Sequence, residues 1–368
     1  MKRLAAMILA IVMVLALAAC GGNDVSGGSG ADNPSTNSSS STTGTDTASP
    51  SVTADATEGE AVTLTLGTAT ADDHGYTFAA NRMSQMLAER TGGRITLQVF
   101  ANSQLGSERD LTEGVTLGSV DMTIVTMDGA VPTWVPDTAV MSIPYLFADS
   151  NEVYDALDNY LYDRLEPEYE AAGMKNLGFT AIGFRHFTNN VRAIHSAADV
   201  KGLTIRVQES PVWFGLCDSL GAVASPVAFS ELYTALQQGV VDGQENPIGT
   251  IVTQKYYEVQ DYVALDGHTF GAGNILMNLN RFNSLSAEDQ ALIAEVAQAA
   301  AVEERQYIAG SEAQWLEDIK ASGTEVDENP DLDSFVQATV GMELRSDIAA
   351  GFQDVGIVQE VRDYLASK

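Results

Sequence analysis

Between residues 61 and 125 the chain switches repeatedly between the two hydrophobic periods that a folded backbone can bury, and this alternation limits the fold more than any other feature. Residues 61–66 alternate and are rich in Val, Thr and Leu, which predicts a first strand. A helix face follows with Ala79, Met83, Met86, Leu87 and Arg90 on one side, closing at Gly92-Gly93. Residues 95–100 predict a second strand. Ser107-Glu108-Arg109-Asp110 then reads as a helix start, a capping serine followed by acids in the first turn, and Leu111, Val115 and Leu117 carry that helix to Gly118. Residues 120–125 complete a βαβαβ unit. This is the doubly wound α/β pattern, which gathers the loops at the carboxyl ends of its strands on one edge. Those loops hold Thr68, Thr70, Asp72, Asp73 and His74, then Ala101 to Gly106, then Thr126-Met127-Asp128-Gly129.

A second unit occupies residues 203–246. Leu203-Thr204-Ile205 is a short apolar strand that delivers Arg206 into a turn at Gln208, Glu209, Ser210 and Pro211. Val212, Trp213, Leu216 and Leu220 share one helical face, and after Ser225-Pro226 so do Phe229, Leu232, Tyr233 and Leu236. Residues 240–243 read as a strand emptying into Gln244-Glu245-Asn246-Pro247. Between the units lie a crossing segment (140–147), a long helix (152–172) and a strand (175–184) that delivers Arg185 and His186. Beyond them come a strand ending near Asp266-Gly267-His268, a β-like stretch (274–280), a very long helix from Ser286 to about Ser322 interrupted at Gly310, a short strand (324–326) and two terminal helices.

The first 58 residues stand apart. Lys2 and Arg3 precede a continuous apolar run (4–17) and the small-residue sequence Leu17-Ala18-Ala19-Cys20. The run is shorter than the ~20 residues that span a bilayer. It reads as a lipoprotein signal peptide (1–20) ending at a lipidated Cys20, with acyl chains as the only membrane attachment. Residues 21–58 are nearly all small and polar, a flexible Gly/Ser/Thr linker. Residues 59–368 remain, enough for a bilobed domain: lobe 1 about 59–148 and lobe 2 about 176–270, each with later segments. With Cys20 assigned to lipid, only Cys217 is left, on the same face as Trp213, and it reads as a small buried hydrophobe.

Charge and motifs narrow the function. Nineteen Lys and Arg against 50 Asp and Glu give a formal net charge of -31, a field that argues against nucleic acid and anionic lipid as partners. An anionic small molecule would have to be captured by cations held locally against that field. No Gly-x-Ser-x-Gly, Cys-x-x-Cys, His-Glu-x-x-His or phosphate-binding loop is present, and the four histidines at 74, 186, 195 and 268 are scattered. The expectation is a protein that is not an enzyme and carries neither cofactor nor metal. Arg206 stands at the end of an apolar strand, where it either pairs with a structural carboxylate or holds an anionic ligand through a charge-assisted fork. Arg185 repeats the placement one strand earlier. Asn246, before Pro247, is either an Asx-type turn residue or a ligand-facing amide. Phe229 opens a buried stripe and reads by default as core.

These residues also carry a family likeness. Ile205-Arg206-Val207, the run from Pro226 through Phe229-Ser230-Glu231-Leu232-Tyr233 to Gln237, Gly239 through Asp242-Gly243-Gln244-Glu245-Asn246-Pro247, and Lys255 to Gln260 closely resemble the DctP family, the solute-binding proteins of tripartite ATP-independent periplasmic (TRAP) transporters. Gln104-Leu105-Gly106-Ser107-Glu108 and Pro144-Tyr145-Leu146-Phe147 match in the first lobe. The resemblance implies a two-lobed periplasmic-binding-protein clamshell with a long helix spanning both lobes. It also implies an organic-acid ligand delivered to a small and a large TRAP membrane subunit, an extracytoplasmic location and a monomer. By the same resemblance Arg206 matches the carboxylate-binding arginine, Arg185 a second arginine, Asn246 the binding asparagine and Phe229 an aromatic that packs on the ligand. His74, Glu108 and Thr126 fall on first-lobe loops that face the cleft, and Glu209 follows Arg206 by three residues. Asp128 either bonds a ligand hydroxyl or faces solvent. With Glu209 it would suit a uronate or another sugar acid. Gly75 stands where the family commonly has proline. A ligand-sensing partner of a membrane receptor is the alternative reading.

Overall fold

The computed structural model describes residues 59–368; the expected signal peptide, Cys20 and linker lie outside the described residues. The first strands are β1 (Val62–Gly67), β2 (Ile95–Phe100) and β3 (Met122–Thr126). β1 pairs in parallel with both of the others, so the sheet order is β2-β1-β3 and the winding reverses between β1 and β3. The helices Gly75–Thr91 and Glu108–Leu117 are the crossovers, as the alternation requires. Each closes on a glycine in the left-handed region, Gly92 at φ 60° and Gly118 at φ 80°, which only glycine enters freely.

β4 (Met174–Asn189) is the strand that joins the lobes. Its first part, Met174 to Phe184, runs antiparallel to a later strand, while Arg185 to Asn189 pair antiparallel with another, in the second lobe. That lobe is built from β5 (Thr204–Val207), β6 (Val223–Pro226), β7 (Gly243–Pro247) and the three-residue β8 (Tyr262–Ala264). β9 (Phe270–Asn278) returns the chain between β3 and β4, and β10 (Glu325–Asp327) pairs with β8. The path across the whole sheet is β2-β1-β3-β9-β4-β7-β5-β6.

The helix Ala287–Ala321 has 35 residues, a length of about 52 Å at the helical rise. Its first turns bury Ile293, Val296, Ala297, Ala300 and Ala301 with Ala79, Ala80 and Met83 of the first lobe. Its last turns bury Ile319 with Ile248 and Ile251 of the second, with Trp315 packed alongside. It therefore contacts both lobes. The expected interruption at Gly310 does not occur, since one glycine costs a helix about 1 kcal/mol and turns on both sides are packed.

Three expectations about strand boundaries are corrected. Of the expected strand 240–243 only Gly243 is in a strand: Val240 is exposed and β7 begins at Gly243. Asn246 therefore lies inside a strand rather than beyond one. Arg185 likewise lies inside β4, opposite Pro247, because β4 continues into the second lobe. The reason is chemical. Gln244, Glu245 and Asn246 are all buried, and polar partners on β4 satisfy them, so a polar run is stable in a strand. Cys217 is buried and free. Among the described residues no helix is long and apolar enough to cross a membrane, and no group of His, Cys, Asp and Glu could hold a metal ion.

Candidate binding cleft

The first wall of the cleft is fixed by a helix cap. Ser107 accepts from the Asp110 N–H while Asp110 accepts from the Ser107 N–H, which sets Glu108 and Arg109 in the first turn of their helix. Oε1 of Glu108 then accepts from the Thr126 N–H at 3.0 Å and from its hydroxyl at 2.9 Å, tying the helix start to the end of β3. The Arg109 guanidinium lies 5.7 Å from the Trp134 ring centroid, in cation–π geometry. The opposite wall comes from the ends of β5 and β6. Together Ser107, Glu108, Arg109 and Gly129 face Arg206, Gln208, Glu209 and the Pro226 to Phe229 turn across a cavity of about 330 Å³. That is at the small end for ligand pockets and suits a compact molecule.

Arg206 is the feature that gives this cavity a chemical direction. It is 3% exposed, and its Nε donates to the Val227 carbonyl at 2.9 Å. Among the described residues no carboxylate lies within ion-pair distance of it. Burial accordingly depresses its pKa. A desolvated guanidinium with open N–H groups is poised to take an anion, because the ligand's charge would repay the desolvation.

Arg185 is arranged differently. Its Nε and Nη2 donate to both carboxylate oxygens of Glu245, and Nη2 also reaches the Glu245 carbonyl and Oδ1 of Asn246. Burial would lower its pKa, but Glu245 outweighs that and raises it. His268 sits on the far side of Glu245, its ring nitrogens 2.7 Å from Asp266 and 3.3 Å from Glu245. Burial acts to lower the imidazole pKa, yet the two carboxylates push it up to about 9, so both nitrogens donate. Asp128 is fully buried rather than solvent-facing. Burial pushes its carboxyl up to about 6, and its carbonyl accepts from the Trp213 indole at 3.1 Å.

Of the residues singled out from sequence, Arg206, Glu108, Glu209 and Phe229 line the same cavity. Phe229 is half-buried, its ring edge-on to Tyr256 at 6.5 Å. Arg185, Asn246, His74 and Thr126 do not line it. Asn246 spends its amide on Gln244 and its carbonyl on Arg185. His74 caps the helix Gly75–Thr91 by accepting from the Tyr76 N–H at Nδ1, so Nε2 carries the proton and donates to Thr250 of the second lobe at 3.1 Å. Its burial drives the imidazole pKa down to about 3. Sequence reasoning missed Arg109 and Gln208 on the cleft and Glu245 behind it. Arg109 was legible only as part of a helix start, and Glu245 only as part of a polar loop.

The fold and cleft define a two-lobed solute-binding protein. The family model for bacterial extracellular solute-binding proteins, family 7 (DctP), matches residues 66–341. A solute-binding protein of Verminephrobacter eiseniae is 36% identical over 270 residues, covering 73% of this chain and 80% of its own. A TRAP periplasmic solute-binding protein from Polaromonas sp. JS666, bound to D-erythronate, is similar in structure with a TM-score of 0.76 at 31% identity, over 82% of this chain and 98% of its own. The sugar acid binding protein DctPAm of Advenella mimigardefordensis, in complex with galactonate, aligns with a TM-score of 0.79 at 26% identity, over 84% and 99% of the two chains. The chain belongs to the DctP family and is a TRAP solute-binding protein. Families of this kind bind substrates for transport, and what they hold is decided in the cleft.

Proposed function

We propose that this protein captures a hydroxylated organic acid outside the cytoplasm and delivers it to the small and large membrane subunits of a TRAP transporter. One observation carries the reading: Arg206 is a buried guanidinium with no carboxylate of its own, facing a cavity of about 330 Å³. The ligand's carboxylate would take the Arg206 fork. Phe229 would pack on the carbon skeleton, and the Glu108 and Glu209 carboxylates would accept from its hydroxyls. Arg185 would add positive potential from behind while Glu245 neutralises most of it, and Asn246 would hold Arg185 in place. Thr126 and His74 would act by fixing Glu108 and the first-lobe helix. The D-erythronate and galactonate of the related structures support an aldonate or similar sugar acid, and the galacturonate bound by another similar structure supports a uronate. Closure would follow if the acid touches Arg206 from one lobe and the Glu108 turn from the other, since such contacts favour the state in which both are made.

We also infer that the mature chain is held at the membrane by acyl groups on Cys20. The sequence Leu17-Ala18-Ala19-Cys20 supports this; mass spectrometry of the membrane-extracted protein would find diacylglycerol on an N-terminal Cys20, and an unmodified soluble N-terminus would refute it. For the ligand, a thermal-shift screen of organic acids is the test. A sugar acid should raise Tm, an unhydroxylated keto acid should raise it less, and Arg206→Ala should abolish the shift. An undiminished shift in the variant would refute the assigned role.

A further inference from the structure

The cleft holds a second cation, whose ion-pair partner among the described residues is a carboxylate of the protein. Among the described residues Arg109 and Arg206 are the two cations on the cavity wall, one from each lobe. Arg109 is held by contacts that need no ligand: its guanidinium lies over Trp134 at 5.7 Å, and Nη1 is 3.5 Å from the Thr133 hydroxyl. Across the cleft, Oε2 of Glu209 lies 3.8 Å from the same Nη1. Both members of this pair are largely solvated, at 54% and 73% side-chain exposure. An exposed pair at that distance is weak and easily exchanged. Glu108, the other carboxylate on this wall, is already engaged by the backbone and hydroxyl of Thr126, so Oε1 is not competing for Arg109.

We propose that Arg109 is a specificity-determining residue that reads the far end of the ligand, with Glu209 standing in for the ligand's second acidic group until it is displaced. The substrate class is then a sugar acid with a carboxylate at both ends. One carboxylate sits on Arg206 of the second lobe and the other on Arg109 of the first, so the diacid itself bridges the lobes. Displaced Glu209 stays hydrated at the rim, which is why exchange costs little, and it remains an acceptor for a neighbouring hydroxyl. This inference rests on the reading of Arg206 as the anchor for the first carboxylate.

Calorimetric titration of the purified protein with galactarate and galactonate tests it, since the two share six carbons and differ in a far-end carboxylate against a primary alcohol. Galactarate should bind at least tenfold more tightly. Arg109→Gln should weaken galactarate by tenfold or more and galactonate by much less. Glu209→Gln, which keeps the acceptor but removes the competing charge, should tighten galactarate about two- to fivefold. Opposite signs for the two variants separate displacement from a simple latch, in which both changes weaken binding. Galactarate binding no tighter than galactonate, failure of both acids to bind the wild type, or equal losses in both variants would overturn the proposal. Binding of any monocarboxylate that Arg206→Ala abolishes would leave the Arg206 reading intact even then. Undiminished binding by Arg206→Ala would instead remove the reading on which the proposal stands.

Discussion

Arg185 donates to Glu245 from Nε at 2.5 Å and from Nη2 at 2.9 Å, and the two side chains are only 2% and 0% exposed. This buried pair explains how two arginines can stand on neighbouring parts of one sheet with different tasks. Arg185 is neutralised by the protein and belongs to its frame, whereas no carboxylate among the described residues lies within ion-pair distance of Arg206. Removing the carboxylate should expose the dependence. Glu245→Gln leaves the Arg185 charge buried with no ionised partner and strips one carboxylate from His268, so it should cost roughly 3–5 kcal/mol of stability. Urea unfolding measures it, and a loss under about 1 kcal/mol would contradict the assignment.

Glu304 should give the protein a specific pH dependence. It is fully buried in the long helix, where Oε2 accepts from the Ala181 N–H at 2.9 Å. Burial pushes its carboxyl up to about 8, with the Ala181 N–H and Arg305 offsetting only part of that. An unfolded glutamate titrates at about 4.3. Between those values the folded chain binds more protons than the unfolded one, so this group's contribution to stability falls as pH rises through the window. Glu304→Gln should therefore raise Tm at pH 8 relative to wild type by more than it does at pH 5. Asp128 and His268 titrate in both proteins and cancel in the difference. Equal changes at the two pH values would remove the argument.

Gly75 and Glu304 should be coupled. A Cβ at residue 75 would lie 2.4 Å from Oε1 of Glu304 and 2.9 Å from Cδ1 of Ile308. The glycine at this position thus makes room for a carboxylate at the start of the first helix. Gly75→Ala should cost about 1–3 kcal/mol by overpacking. In a Glu304→Ala background the same change should cost less, and a double-mutant cycle of unfolding free energies showing no coupling would contradict the contact.

The His74 cap should be worth about 1 kcal/mol, the usual cost of deleting a side-chain cap. His74→Ala also removes the bond to Thr250, so the loss should fall at or above that figure in denaturant unfolding. A neutral substitution would mean that neither bond matters.

How much of this was legible in the sequence follows from which rule each residue obeys. The first-lobe βαβαβ unit was readable because Leu64, Leu66, Ala79, Met83 and Leu87 keep strict strand and helix periods and are all buried. The end of β4 and the whole of β7 were not. Their buried residues are polar, and patterning treats Gln244-Glu245-Asn246 as a loop unless the partners on β4 are known. For the cleft, Arg206 stood out because an apolar strand has no need of it. Arg109 did not, since a cation in the first helical turn gives no sign of the Trp134 and Glu209 that surround it in space. Family likeness supplied Phe229, against its helical stripe, and the structure leaves that ring half-buried at the cavity.

The central claim is that Arg206 holds the ligand's carboxylate. Two charge-assisted hydrogen bonds at roughly 1.5–3 kcal/mol each correspond to a hundredfold or more in affinity. Isothermal titration of wild type and Arg206→Ala with galactonate, galacturonate and galactarate measures it directly. At least one of these acids should bind the wild type, and its affinity should fall at least about a hundredfold in the variant while Tm without ligand stays close to the wild-type value. Equal affinities in the two proteins would contradict the account.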